Sequence, residues 1–240
     1  MKVLLTTIAF LVAGIATAQT KVYNDPDAKV RTLSGSFNKV SVSSGVELHL
    51  TQATENALAV SVSDPQLEER FKTDIVDGTL RIYFDHNGYK WKNGKNRKLK
   101  AYVSYKNLDA INCSSGSSTR LTNTLNTGNL ALSFSSGCVF EGEIKAADVS
   151  ATATSGSDIK VSGKAEKIDI TATSGANFRG KDLVANYCTA SVNSGAAISI
   201  EVQKEINASA NSGGEIKYSG AATLNKGKVN SGGSVKHSSK

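Results

Sequence analysis

The sequence predicts an all-β fold: a single-domain right-handed parallel β-helix of about 19 residues per coil, with an antiparallel β cap inserted near its N-terminus. Three observations lead to it. Ser-Gly pairs recur through the second half with glycines at Gly116, Gly137, Gly156, Gly175, Gly195, Gly213 and Gly232, spaced 21, 19, 19, 20, 18 and 19 residues apart. The residues before each glycine alternate strictly, as in VSATATSG (149–156), IDITATSG (168–175), CTASVNSG (188–195) and INASANSG (206–213), and a period of two is the strand period. Three residues after the glycine a second apolar ladder appears, with Phe140, Ile159, Phe178, Ile198, Ile216 and Val235 at one offset. Units this small cannot bury their own apolar faces, so successive coils must stack and bury them together. Glycine suits the corner because it turns the backbone at φ > 0 without a Cβ clash.

Residues 1–18 read as a secretory signal peptide: Lys2 precedes an apolar run from Val3 to Val12, and Ala16-Thr17-Ala18 forms a small-x-small cleavage signature before Gln19. The run is too short for a membrane span, and no later stretch reaches the roughly 20 apolar residues that a spanning helix needs. Gln19 also gives a lipid anchor no cysteine acceptor. Residues 19–36 form an N-terminal extension, and 37–240 form the β-helix domain. Its first coil is FNKVSVSSGVELHL (37–50), with Val40 and Val42 inward before Gly45 and Val46, Leu48 and Leu50 after it.

Gly45 and Gly116 lie 71 residues apart where the period calls for about 19, so residues 51–107 contain an insertion of roughly fifty. It holds strand-like ALAVSVSD (57–64), TLRIYFD (79–85) and LKAYVSY (99–105), a polar stretch at 65–78 able to form a helical turn, and turn signals at Asp77-Gly78 and Asn93-Gly94. Antiparallel structure covering the first coil is expected there, since a solenoid needs caps to protect its edges. The Ser-Gly coils occupy 108–240, and Asn225 and Gly227 are expected to replace core positions in a capping last coil.

The chemistry available to such a chain is limited. Cys113 and Cys188 fall on the inward phase and Cys138 follows Gly137; none shares an offset with another, so no stacked pair and no disulfide framework is expected. His49, His86 and His237 fall in the first coil, the insertion and the last coil. No HExxH, CxxC, phosphate-binding loop or nucleophile elbow is present. Glu141, Glu143 and Asp158 could lie side by side, but the remaining carboxylates are scattered over different offsets, and no metal or cofactor is expected. A catalytic role is therefore the least favoured class.

The densest feature outside the scaffold is YKWKNGKNRKLK (89–100), which carries six of the 28 basic residues in a chain of net charge +7. Lys90, Trp91, Lys92, Lys95, Arg97 and Lys98 are the candidate binding residues, the indole stacking on a sugar ring while the cations meet phosphate, sulfate or carboxylate. The alternative is a solvated hairpin whose lysines discourage edge pairing and whose Trp packs on the cap. A second candidate surface is the outward polar ladder, in which Thr152 and Thr154 stand over Thr171 and Thr173, then Thr189, Ser191 and Asn193, then Asn207, Ser209 and Asn211.

The element from Phe37 to Leu50, the Asp77-Gly78-Thr79-Leu80 turn with Ile82, and the Leu108-Asp109-Ala110-Ile111 step into serial Ser-Gly coils together resemble the head-GIN domain family of putative autotransporter adhesins, over residues 37 to 235. The resemblance implies a β-helix outside the cytoplasm and carries over no functional residue. The functions it leaves open are a secreted or envelope adhesin contacting anionic polysaccharide or envelope proteins, a purely structural envelope scaffold, and a carbohydrate-active enzyme. Nucleic acid is a poor partner for an exported chain.

Overall fold

The computed structural model describes residues 23–88 and 98–238. In chain order the elements are β1 (Lys29–Arg31), β2 (Lys39–Val42), β3 (Glu47–Gln52), β4 (Ala57–Val62), a 3-10 turn (Pro65–Arg70), β5 (Phe71–Val76), β6 (Thr79–Phe84), β7 (Leu99–Tyr105), β8 (Ala110–Cys113) and β9 (Ser118–Leu121). They continue with β10 (Leu125–Phe134), β11 (Val139–Ala153), β12 (Asp158–Ala172), β13 (Asn177–Val192), β14 (Ala197–Ala210), β15 (Glu215–Ser219), β16 (Thr223–Val229) and β17 (Ser234–His237). Residues 1–18, expected to be a signal peptide, and most of the basic segment lie outside the described residues.

Each Ser-Gly corner, from Ser44-Gly45 through Ser231-Gly232, is a turn in which both residues are left-handed. The serines have φ from 47° to 68° and the glycines that follow them from 69° to 77°. Two successive positive φ values make a type I′ turn, whose twist suits the strands it joins. Its closing bond is seen where the Ser157 amide donates to the Thr154 carbonyl at 3.2 Å. From Gly45 to Gly213 each corner glycine also donates to the serine carbonyl one coil away, as Gly156 does to Ser174 and Gly175 to Ser194, both at 3.1 Å. The inter-coil ladder therefore continues around the corner.

Register follows the sequence period. Leu80, Val40, Ile111, Leu132, Ala151, Ile170, Ala190 and Ala208 succeed one another along one inward row, all buried. Within each long strand the alternation breaks twice. In β12 the buried positions are Ile159 and Val161, then Ala165, then Ile168, Ile170 and Ala172. Two bends plus the Ser-Gly corner give each coil three faces. Gly163 lies at the first bend with φ of 109°, and a Cβ there would stand 2.0 Å from the Ile144 carbonyl oxygen.

The cap is more deeply woven into the stack than the sequence implies. The antiparallel part is present: β4 pairs with β7, β5 with β6 and β1 with β4. Yet β6 lies parallel to β2 and β7 parallel to β3, so these inserted strands form a further coil on the outer side of the first. On the inner side β2 and β3 pair with β8 and β9, Lys39 against Ala110 and Glu47 against Ser118. The chain thus enters the solenoid one coil from its end, builds the end coil and its cap, and steps past its own start.

At the far end the last coil differs from expectation. Leu224 takes the inward place opposite Ile206, while Asn225 stands against Asn207 on the exposed outer phase and donates to Glu205 at 2.9 Å. The bulge after Ala208 shifts the register, so Asn225 is an outer rung and not a core replacement.

Candidate functional site

One corner departs from the ladder. The offset between β2 and β6 is 40 residues and that between β3 and β7 is 53, so 13 residues are added where the other coils have a two-residue turn. Of the candidate binding residues, Lys90, Trp91, Lys92, Lys95 and Arg97 lie in this addition, outside the described residues. Lys98 is described. It is exposed at the foot of β7, its amide donates to Ser63 Oγ at 3.1 Å, and its carbonyl accepts from the Ser63 amide at 3.1 Å.

Lys98 opens onto a cleft of about 360 Å³ shared with Asp25, Ser61, Ser63, Lys100 and Tyr102. The Tyr102 hydroxyl donates to Asp25 Oδ2 at 2.7 Å, tying the N-terminal segment to the end coil. That bond holds the Asp25 carboxyl below its ordinary value against the opposing effect of burial. Burial first, and then the Asp25 carboxylate, push the tyrosine hydroxyl well above its usual range. Tyr23, Tyr102 and His49 stack in a column with centroids 5.1 Å apart. The sequence marks Lys100 only as one of the six basic residues of 89–100 and gives Tyr102 no signal; their outer phase becomes visible only once LKAYVSY is set against VELHLTQ, where Tyr102 pairs with His49 and Lys100 with Glu47.

The column leads into a charged row on the same face. Register carries His49 to Arg120, Glu141, Lys160 and Arg179, then through Ser199 to Lys217 and Lys236. Carboxylates are interleaved with these cations. Glu141 bridges Arg120 at 2.6 Å and Lys160 at 2.9 Å, Asp158 meets Arg179 at 2.9 Å, and Glu215 holds Lys217 at 2.8 Å and Lys236 at 3.3 Å. The Lys160 hydrogen bond, followed by the charge of Arg120, keeps the Glu141 carboxyl below its ordinary value. Glu141 and Asp158 are thus engaged with cations, and the Glu141 carboxyl is shifted the opposite way from a general acid. Among the described residues no cluster of His, Cys, Asp or Glu could hold a metal ion.

The face preceding the corner is different in kind. Ser41, Asn112, Ser133, Thr152, Thr171, Ser191 and Ser209 form one outward row, so the expected polar ladder has the expected register. This row carries hydroxyls and one amide and no charged side chain. The histidines do not converge: His49 stacks on Tyr102, His86 meets Phe84 edge-on, and His237 meets Tyr218 at the other end of the rod.

The cysteines overturn one expectation. Cys113 and Cys138 do not share an offset, yet their sulfurs lie 2.7 Å apart, because one precedes and the other follows a corner on adjacent coils. No helix among the described residues is long and apolar enough to cross a membrane.

A family model described as "Putative auto-transporter adhesin, head GIN domain" matches residues 36–222. Among solved structures, a putative adhesin from Bacteroides fragilis superposes with a TM-score of 0.78 at 21% identity, over 88% of this chain and 96% of that one. A putative adhesin from Parabacteroides merdae gives 0.67 at 14% identity over 90% and 97%, and a protein described as a putative lipid binding protein from Parabacteroides distasonis gives 0.64 at 17% over 88% and 97%. At these identities the likeness is one of fold. No curated protein matches the chain.

Proposed function

We propose an adhesin-like role for this chain, which belongs to the head-GIN family of that description, exercised outside the cytoplasm by binding anionic surface polysaccharide through the basic segment of the expanded corner. The family description points to an extracellular or envelope protein with surface partners. The observation that carries the finer reading is the corner itself: a scaffold that repeats a two-residue turn elsewhere adds 13 residues at one place, in the end coil, within the stretch that holds six basic residues and the only tryptophan. A cap alone needs no such addition, since β4 and β5 already pair with the edges of the end coil. The charged row beside it has its cations bound to carboxylates, so it adds little net attraction for a polyanion.

Retention of the protein on an immobilised acidic polysaccharide tests the reading. It should fall steeply between low and physiological salt, because solvent-exposed charges are screened over about 8 to 10 Å there. Trp91→Ala should weaken retention without lowering the melting temperature, and charge reversal at Lys95, Arg97 and Lys98 should remove the salt-dependent part. If Trp91→Ala instead lowers the melting temperature by several degrees and leaves retention unchanged, the segment is a cap and the reading fails.

A further inference from the structure

We propose that Cys113 and Cys138 form a disulfide that staples two adjacent coils together across their Ser-Gly corners. Cys113 ends β8 on the inward side, opposite Phe134 of the next coil. Cys138 follows the Gly137 turn of that next coil and points inward too, with 0% of its surface exposed against 3% for Cys113. Their sulfurs are 2.7 Å apart, and closing to the bonded distance of about 2.05 Å needs a shift of less than 1 Å in buried, unbranched side chains. Cys188, the third cysteine, is buried between Ile168 and Ile206 in register and serves as an internal control.

In the folded chain the surroundings shift the two thiols in opposite directions. The Cys113 thiol, opposed by burial and aided by the Ser117, Ser135 and Gly116 amides, holds the Cys138 thiol below its ordinary value; the same hydrogen bond, with burial, pushes Cys113 up. Before the coils close these contacts are not yet made, so either thiol can attack first; the exchange with Cys138 leading is representative of both orders. The co-reactant is a disulfide, R–S–S–R, of the kind found in oxidising compartments. The Cys138 thiolate attacks one of its sulfurs, forming a mixed disulfide and expelling one thiolate, which takes up the proton Cys138 gave away. Cys113 then loses its proton and attacks the Cys138 sulfur, expelling the second thiolate to be protonated in turn. Two protein thiols are oxidised and one external disulfide is reduced to two thiols. Because both sulfurs are buried in the folded chain, the exchange belongs to folding, before the coils close over them. The staple would join the coil of β8 and β9, which lies inward of the β2 and β3 coil, to the coil of β10 and β11 beyond it.

The test uses the full chain. Reduced, denatured protein is refolded in a mixture of glutathione and glutathione disulfide, quenched in acid, denatured again and titrated for thiols. One thiol per chain is expected, on Cys188, together with a proteolytic peptide pair joined through Cys113 and Cys138 and lighter than its two free parts by two hydrogens. Reductant should lower the melting temperature by about 5 to 10 °C, and a Cys113→Ser, Cys138→Ser variant should melt alike with and without it. Three thiols after refolding, or a linkage that includes Cys188, overturns the proposal.

Discussion

Glycines of two kinds sit at the bends of this solenoid, and replacing one of each with alanine separates backbone conformation from close approach. Gly175 has φ of 71° and nothing within 4 Å of an added Cβ, so Gly175→Ala bears only the strain of a left-handed alanine, about 1 to 2 kcal/mol. Gly163 has φ of 109°, and its added Cβ would stand 2.0 Å from the carbonyl oxygen, 3.0 Å from the carbonyl carbon and 3.1 Å from the nitrogen of Ile144. Those are backbone atoms of the neighbouring coil, paired in register with Gly163 itself, so they cannot swing aside as a side chain could. Overpacking adds about 1 to 3 kcal/mol to the strain, bringing Gly163→Ala to about 2 to 5 kcal/mol. In urea unfolding followed by circular dichroism, Gly175→Ala should shift the midpoint modestly and Gly163→Ala at least twice as far. Equal shifts, or a larger one for Gly175→Ala, would refute the distinction between an open corner and a crowded bend. Gly175→Val should exceed Gly175→Ala, since a β-branched residue tolerates positive φ less well.

The face assignment is tested by Ile170→Asp, which buries an unpaired charge and should prevent folding, against Thr171→Asp on the exposed outer row, which should change stability by less than about 0.5 kcal/mol. Similar damage from both would mean that the faces are misread. The charged row predicts a pH dependence. Because the Glu141 carboxyl is held below its ordinary value of 4.5, its contribution is present above that value and is lost as pH falls through the lowered one. The melting-temperature gap between wild type and Glu141→Gln should therefore be small at neutral pH, worth under about 1 kcal/mol for pairs this exposed, and should close on acidification below 4.5. A gap that widens in acid would contradict the ion-pair account.

What the sequence reveals of this molecule is what repeats. A period near 19 with strict alternation marks inward and outward residues coil by coil, and Ile170 and Thr171 fall where that alternation puts them. Elements that do not repeat were read less fully. The strands TLRIYFD and LKAYVSY carry the right alternation, but no local signal says that they stack parallel on β2 and β3 while β4 and β5 stay antiparallel; chain order and spatial order differ there. The meeting of Cys113 with Cys138 was hidden for a related reason. Comparing equal offsets finds residues stacked directly above one another, whereas these two meet diagonally around a turn. A fixed period puts Asn225 on the inward phase because it cannot show the bulge that shifts the last strand. The site is legible in part: the charge and the tryptophan of 89–100 are evident in the sequence, but the location at an expanded corner, with Tyr102 and Lys100 at its foot, requires the register.

The measurement that bears most directly on the account replaces residues 85–97 with Ser-Ser-Gly, which removes ten of the 13 added residues and leaves β6 and β7 joined by a short turn, and compares retention on acidic polysaccharide with that of the wild type. The account predicts an unchanged β spectrum and melting temperature, with retention reduced to the level of a column without ligand. A folded variant that binds as well as the wild type would contradict it.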